Sequence, residues 1–264
     1  MTMTVLALLI CLQDAKIEQQ VLARVNEIRR TAGLAPVALD PALSKGCRAH
    51  AEYLARNATA GSAQGLGAHD EDPKLPGYTP EGEKAGKASD ISYREPAAAV
   101  ESWMSGLFHR VPILHPGLKK IGLGWTRAGE GGAISVMDVV SGRGGGPTVV
   151  VAYPADKQRD VPLALGREIP RPAPTDSGGY PVTLTFPEDQ KVTAVTATMR
   201  VDKEDVEFHL STPEKPADAR YQRNTVCLIA KEPLKPSTTY TVIVTAKTGT
   251  KPFTRTWSFT TVKE

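Results

Sequence analysis

The sequence predicts an α+β layered domain followed by an all-β sandwich, in a chain of 264 residues that is long enough for two domains. Apolar residues at helical spacing dominate the first part, and strand-like segments separated by glycine-rich turns follow them up to residue 153. Beyond residue 180 apolar and polar residues alternate, which is the period of strands with one buried face. Helices followed by antiparallel strands favour an α+β fold, whereas a run of short strands favours a sandwich.

Two predicted helices open the first domain. The first covers residues 16–32 and ends at Gly33, and its apolar positions are Ile17, Val21, Val25 and Ile28. Asp40 and Pro41 form a favourable N-cap and first-turn pair, so a second helix should run from there to about Asn57. His50 lies beside the apolar side of that helix and is interpreted as a packed histidine.

The rest of the first domain is predicted to contain a long loop, one helix and three strands. Residues 58–95 are rich in Gly, Ser, Asp and Pro, and such long irregular segments are usually functional or disordered. Pro96 should begin a helix that buries Trp103 and Met104. The strand-like segments are residues 121–126, 133–140 and 148–153.

The second domain is predicted to follow a proline-rich linker. Residues 154–179 contain five prolines and little periodicity, which is typical of a linker between domains. Residues 180–264 contain about six short alternating strands, and this number suggests a β-sandwich. His209 falls on the opposite side of its strand from Val206, Phe208 and Leu210 and is interpreted as a solvated residue.

Residues 1–15 are predicted to be a signal peptide. The apolar run over residues 5–12 is too short to span a bilayer, and its length fits the core of a leader. No Lys or Arg precedes the run and no clear cleavage site follows it, so a buried first strand or helical turn is the alternative. A lipid anchor on Cys11 is disfavoured by Ile10. We expect a secreted or cell-envelope protein without a transmembrane span.

Composition excludes one class of partner. The formal net charge is only +3, and neither part of the chain concentrates basic residues as nucleic-acid binding requires. The three cysteines, Cys11, Cys47 and Cys227, fall in different parts of the chain. This arrangement predicts no disulfide framework, so each domain should be held by its apolar core.

The stretch from Gly67 to Trp125 contains the candidate functional residues. Three of the five histidines lie there, together with several acidic residues, and the side chains of interest are His69, Glu71, Glu81, Glu83 and His109. Imidazoles and carboxylates in one cleft can bind a divalent metal or exchange protons near neutral pH. The stretch contains no metal-binding or phosphate-binding motif, so the prediction depends on folding to bring these groups together.

Several motifs of residues 16–153 form a series: Val-Asn26-Glu-Ile-Arg29, Asp40-Pro-Ala-Leu, Trp103-Met-Ser-Gly-Leu-Phe-His-Arg-Val-Pro-Ile-Leu-His-Pro, and Ile121-Gly-Leu-Gly. The series resembles bacterial SCP-like members of the CAP superfamily, which includes cysteine-rich secretory proteins, venom antigens and plant pathogenesis-related proteins. The resemblance implies a three-layer α-β-α sandwich with histidines and acidic residues in an open cleft. Residues 180–264 resemble a bacterial Ig-like module, through Leu234-Lys-Pro-Ser-Thr-Thr-Tyr-Thr-Val and Trp257-Ser-Phe-Thr-Thr.

The resemblance implies which residues form the cleft. His69 and His109 stand where the family has its two cleft histidines, and Glu83 stands where it has a Gly-Glu-Asn glutamate, although Lys84 replaces the asparagine. Many members carry a second glutamate three residues after the helix tryptophan, and this chain has Gly106 there. Glu71 or Glu81 could replace that missing glutamate.

Two classes of function follow from the resemblance. The preferred one is a binding or adhesion module, with no catalytic residue, whose ligand is a small apolar molecule such as a sterol or lipid, or an extracellular protein. His69, His109 and Glu83 are then the expected ligands of Zn²⁺ or another divalent metal, unless they only brace the loop by hydrogen bonds. The alternative is an extracellular protease or esterase that uses an activated water or a Ser105–His109 pair.

Overall fold

The structure is a computed structural model that describes residues 3–128 and 132–263. The chain divides into two compact units, which are described separately. The first consists of Met1–Arg30, Ala35–Glu101 and Gly117–Gly145; the second consists of Thr31–Leu34, Ser102–Pro116 and Gly146–Glu264. The second unit therefore takes in a segment of the chain that contains His109, together with the part predicted to be a sandwich.

Five α-helices occur among the described residues: α1 (Met3–Thr31), α2 (Pro41–Arg56), α3 (Pro80–Lys87), α4 (Pro96–Met104) and α5 (Arg110–Ile113). The helix predicted over residues 16–32 is thus the later part of a longer helix, which also includes most of the predicted leader. The side chains of the apolar run over residues 5–12 lie outside the described residues, and its role as a signal peptide stays a prediction. None of the described helices combines the length and apolar character needed to cross a membrane.

The first turn of α2 matches its prediction. Asp40 Oδ1 accepts hydrogen bonds from the backbone N–H groups of Ala42 and Leu43, at 3.0 and 3.3 Å, and Pro41 occupies the first helical position. Lys120 Nζ lies 3.0 Å from Asp40 Oδ2, and this contact holds the pKa of Asp40 below its ordinary value.

Helix α3 lies inside the segment that was predicted to be irregular. Its N-cap is Thr79, whose Oγ1 accepts a hydrogen bond from Gly82 N at 2.9 Å, and Pro80 begins the helix. The helix has only eight residues, and two of them are glycines that weaken any helical pattern in the sequence.

The first unit contains a four-stranded sheet in the order β1–β3–β4–β2, formed by β1 (Ala38–Leu39), β2 (Ser89–Ser92), β3 (Lys120–Ala128) and β4 (Gly132–Asp138). Strand β1 is parallel to β3, whereas β4 is antiparallel to both β2 and β3. Helix α2 packs on β3 through Gly122 and Gly124. A Cβ atom on Gly124 would lie 2.1 Å from Arg48 N, so only glycine permits this approach. The Ile-Gly-Leu-Gly motif is therefore a packing motif.

Two motif residues of α1 bind backbone groups of the first unit. The Asn26 side chain donates to Val37 O and accepts from Val37 N, at 3.0 and 2.7 Å. Arg29 is fully buried and donates to the backbone oxygens of Ala35 and Leu118. Burial lowers the pKa of Arg29 to about 10. Both residues have structural roles that explain their place in the series of motifs.

The second unit contains two sheets built from nine strands: β5 (Val151–Tyr153), β6 (Gln158–Val161), β7 (Val182–Thr185), β8 (Val192–Val201), β9 (Glu204–Asp205), β10 (Phe208–Ser211), β11 (Thr225–Ala230), β12 (Thr239–Thr248) and β13 (Lys251–Thr261). One sheet has the order β10–β11–β7–β5, and the other has the order β6–β13–β12–β8–β9. Strand β6, which pairs in parallel with β13, lies within the segment predicted to be a linker.

Burial in the second unit follows the predicted alternation in β12 and β13, whereas every residue of β11 is buried. In β12 the side chains of Tyr240, Val242 and Val244 are buried and the residues between them are partly exposed. Leu210 is an exception, with 40% exposure, because β10 is an edge strand. His209 is partly exposed.

Candidate functional site

His69 ends a short 3-10 helix, Gly65–His69, and is held by α3. Its Nδ1 atom lies 3.0 Å from the backbone oxygen of Gly86. A carbonyl oxygen can only accept, so Nδ1 donates this hydrogen bond. In the neutral ring the basic lone pair is then on Nε2. His69 is partly exposed, so its ring is held in one tautomer near the surface of the first unit.

Behind His69 lies a buried pair, His50 and Glu71, whose side chains are 0% exposed. His50 Nδ1 is 2.9 Å from Glu71 Oε1, and Nε2 is 2.8 Å from Ala68 O. Since Ala68 O is an acceptor, Nε2 donates to it, and one further proton is shared between Nδ1 and the carboxyl group. The pair therefore fixes the carbonyl group immediately before His69.

Glu71 also joins the loop to α3. Its Oε2 atom accepts a hydrogen bond from Thr79 N at 2.9 Å. A Cβ atom on Gly82 would lie 2.4 Å from Glu71 Oε1, and one on Gly86 would lie 2.4 Å from His50 Cε1. The two glycines of α3 thus allow the helix backbone to pack directly on the buried pair. Sequence reasoning assigned Glu71 to an open cleft, whereas its side chain is buried and both of its oxygens are bonded.

Glu83 lies on α3 and is engaged by two neighbours. Lys87 Nζ is 2.6 Å from Glu83 Oε1, and Tyr78 donates its hydroxyl hydrogen to Glu83 Oε2 at 3.1 Å. The hydrogen bond from Lys87 is the main cause that lowers the pKa of Glu83. Glu81, the other proposed replacement for the missing glutamate, is exposed on the same helix.

His109 belongs to the second unit and is held by Glu168. Its Nδ1 atom lies 2.8 Å from Glu168 Oε1. The same carboxylate accepts hydrogen bonds from the backbone N–H groups of Leu107, Phe108 and His109, at 2.8, 2.8 and 3.0 Å. The side chain of Glu168 is 1% exposed, and that of His109 is 19% exposed. Sequence reasoning missed Glu168, which lies in the predicted linker.

Arg110, the next residue, fixes the turn that carries His109. It is fully buried, donates to Met104 O and Pro181 O, and lies over the rings of Tyr153 and Tyr180. The ring centroids are 5.1 and 4.4 Å from its guanidinium carbon, which is cation–π distance. In the His-Arg motif the His109 imidazole is therefore partly exposed, whereas the buried Arg110 guanidinium holds the turn in place.

The predicted metal set is not assembled within either unit. His69 and Glu83 belong to the first unit and His109 to the second, and neither unit's described residues gather three His, Cys, Asp or Glu side chains that could hold a metal ion. Both imidazoles have the outer hydrogen bond that metal-bound histidines need. Glu83 does not fit, because Lys87 already neutralises its carboxylate. The metal site stays a prediction.

The contacts of the Ser105 hydroxyl group do not suit a nucleophile. Its hydroxyl group donates to Ser102 O at 2.7 Å, as serine does near helix ends. A Cβ atom on Gly166 would lie 2.0 Å from Ser105 Oγ, so backbone also covers this hydroxyl group. The thiols of Cys47 and Cys227 are buried, and desolvation raises the pKa of each to about 12. These thiols are unreactive at neutral pH.

Comparison with family models gives two matches. Residues 22–140 match the CAP model, described as the cysteine-rich secretory protein family, and residues 144–261 match the bacterial Ig-like domain model. These matches confirm the two resemblances inferred from the motifs. Comparison with curated proteins found no relative that matches the chain. The CAP match includes His69, Glu83 and His109, whereas Glu168 lies within the Ig-like match.

Proposed function

The chain contains a CAP domain followed by a bacterial Ig-like domain, and on this premise we propose that it is a binding protein of the cell exterior or envelope. In this proposal the CAP domain binds a small apolar ligand or an extracellular protein, and His69 and His109, which belong to different units, are each tested separately as a recognition residue. The Ig-like domain presents the CAP domain to its surroundings. Both domain types support an extracellular or envelope location.

One observation carries the proposal: two partly exposed imidazoles are fixed in the same tautomer by different partners. His69 donates from Nδ1 to a backbone carbonyl, and His109 donates from Nδ1 to a carboxylate. In both neutral rings Nε2 is therefore the basic nitrogen, able to accept a hydrogen bond from a hydroxyl or amide group of a ligand. Rings fixed in advance lose little conformational entropy on binding.

The contacts favour binding over hydrolysis. Ser105 donates to Ser102 O, and the buried thiols of Cys47 and Cys227 are protonated at neutral pH. The alternative is a hydrolase in which His109 acts as a general base, and the His109–Glu168 contact supports it. A carboxylate that orients an imidazole through Nδ1 is a recurring arrangement in hydrolases.

We also propose the layers that the resemblance implies, which are an α-β-α sandwich for the CAP domain and a β-sandwich for the Ig-like domain. Support comes from the packing of α2 on β3, through glycines that bring backbone to backbone. Further support comes from the two sheets of the second unit, in which most strand pairs are antiparallel, and from the alternate burial of side chains in β12 and β13.

The test uses the full-length chain with a fluorescent sterol and a fluorescent fatty acid as probes, and with a p-nitrophenyl ester and casein as substrates. The variants are His69→Asn and His109→Asn, since an asparagine amide can replace the Nδ1 donor but has no Nε2. His209→Asn is the matched control. We expect saturable binding without turnover, weakened about tenfold or more by either variant, which corresponds to one lost hydrogen bond of about 1.4 kcal/mol.

Two results would decide against the binding of a small apolar ligand through these histidines. Binding of neither probe, or binding that His69→Asn and His109→Asn leave unchanged, would reject a role for these imidazoles in recognising an apolar ligand. Turnover of the ester or casein that His109→Asn abolishes and His209→Asn retains would establish the hydrolase instead.

A further inference from the structure

We propose that Glu168 is the positioning residue for His109, and that its carboxylate occupies the space of a side chain at position 106. This goes beyond the proposed function, because it concerns the state of the His109 ring and needs no ligand. A residue of the Ig-like match would thus set the chemistry of a histidine of the CAP match.

Glu168 is held by the backbone of the segment that contains His109. Three successive backbone N–H groups, from Leu107 to His109, donate to its two oxygens. The side chain is 1% exposed, and burial of a carboxylate is costly unless hydrogen bonds compensate for the lost water. Four donors converge on it when the ring of His109 is included, an arrangement that suits an acceptor-only carboxylate.

The segment that contains Glu168 is also held by backbone hydrogen bonds. Gly166 N donates to Ser105 O at 2.9 Å, and Leu165 N donates to Gly178 O at 2.9 Å. The backbone two residues before Glu168 is therefore bonded to the residue four positions before His109. Both segments lie in the second unit, and these backbone hydrogen bonds hold the Glu168 carboxylate in position next to the imidazole of His109.

The carboxylate of Glu168 lies directly beside Gly106. A Cβ atom on Gly106 would lie 2.4 Å from Glu168 Oε1 and 2.7 Å from Glu168 Cδ. Any side chain at 106 would therefore collide with the carboxylate. In glutamate the carboxyl carbon is two bonds from Cβ, and two bonds of about 1.5 Å each span about 2.5 Å at a tetrahedral angle. A glutamate at 106 could place its carboxyl carbon close to where Glu168 Cδ now lies.

The consequence for His109 is a fixed proton position. Because Glu168 Oε1 accepts from Nδ1, the neutral ring keeps its proton on Nδ1 and its lone pair on Nε2. Without the carboxylate, the Nδ1–H tautomer loses this acceptor. Glu168 acts through His109, whether the imidazole contacts a bound molecule or a reacting one.

The experiment moves the carboxylate from position 168 to position 106. Full-length chains labelled with ¹⁵N-histidine are compared by two-bond ¹H–¹⁵N correlation at a pH where His109 is neutral, and His109→Asn assigns its signals. The variants are Glu168→Ala, Gly106→Glu/Glu168→Ala and the matched control Gly106→Ala/Glu168→Ala. The wild type should favour Nδ1–H by about tenfold or more, the effect of one hydrogen bond to a charged group.

Glu168→Ala and the alanine control should lose this preference, and Gly106→Glu/Glu168→Ala should restore it. A structural role alone would not return the proton to Nδ1 through a carboxylate at 106. Retention of the Nδ1–H preference in Glu168→Ala, or equal spectra for the glutamate and alanine double variants, would overturn the proposal. If Glu168→Ala does not fold, recovery of folding by Gly106→Glu but not by Gly106→Ala, with the proton of His109 on Nδ1, supports the proposal. Equal recovery, no recovery, or recovery without the Nδ1–H preference overturns it.

Discussion

Replacing Glu71 tests whether the buried pair supports the loop that carries His69. Glu71→Ala removes the acceptor of Thr79 N and the partner of His50 Nδ1 at once, at a site with no access to solvent. Each buried group left without a partner costs about 1–3 kcal/mol. We therefore expect the first unit to lose about 3–5 kcal/mol of stability, as is typical when one member of a buried pair is removed.

Glu71→Gln separates the charge of the pair from its hydrogen bonds. A glutamine oxygen can accept from Thr79 N while its amide group donates to Nδ1 of a neutral His50, whose Nε2 still donates to Ala68 O. All three hydrogen bonds are kept in this arrangement. We expect a loss of no more than about 1 kcal/mol, well below that of the alanine variant.

The assay is urea unfolding of the full chain, read by hydrogen exchange of the amides of α2, which reports on the first unit. Glu81→Ala is the matched control, because Glu81 is an exposed glutamate on α3 and should cost less than about 0.5 kcal/mol. The reasoning is refuted if Glu71→Ala and Glu81→Ala unfold at the same urea concentration. Equal losses for Glu71→Ala and Glu71→Gln would refute the expectation that glutamine keeps all three hydrogen bonds.

Two further predictions concern packing and pH. Gly124→Ala should destabilise the first unit by about 3 kcal/mol in urea unfolding, because the new Cβ would lie 2.1 Å from Arg48 N. The control is Gly61→Ala, whose Cβ would have nothing within 4 Å, and it should change the stability by less than about 0.5 kcal/mol. Equal effects would contradict the packing argument. Lys87→Met should raise the pKa of Glu83, measured by carboxyl NMR, towards its ordinary value. Since folding lowers the pKa of Glu83, the stabilisation from the Lys87–Glu83 contact should be lost in the wild type as the pH falls through that pKa. An unchanged titration of Glu83 in the Lys87→Met variant would show that Lys87 is not the cause of the lowered pKa.

Local signals predicted the elements that depend on neighbouring residues. The Asp40–Pro41 pair marks the start of α2 because a capping side chain reaches only the N–H groups of the next turn. Alternation predicted the buried face of β12 because a strand places successive side chains on opposite faces. In both cases the physical cause lies within a few residues, so it can be read from the sequence.

The buried pair shows where local signals fail. His50 was interpreted as a packed histidine, and it is buried, but nothing in helical spacing indicates that its partner is Glu71. That contact needs the glycines of α3 to bring a second helix onto the ring. The energy of such a pair depends on desolvation, which exists only after the fold has excluded water. The same sequence pattern is compatible with an open carboxylate or a buried one.

The contact between Glu168 and His109 also escaped prediction, although the sequence contained one signal that a carboxylate was needed near His109. The residue is 59 positions from His109, in a proline-rich segment without periodicity, so no spacing rule could join them. Gly106 was nevertheless a signal, because the resemblance implies a glutamate at that position in many members and this chain has a glycine, which leaves space beside the imidazole. An imidazole that must be oriented still needs an acceptor at Nδ1. A glycine in place of an expected acid is therefore a reason to search distant parts of the chain for the carboxylate.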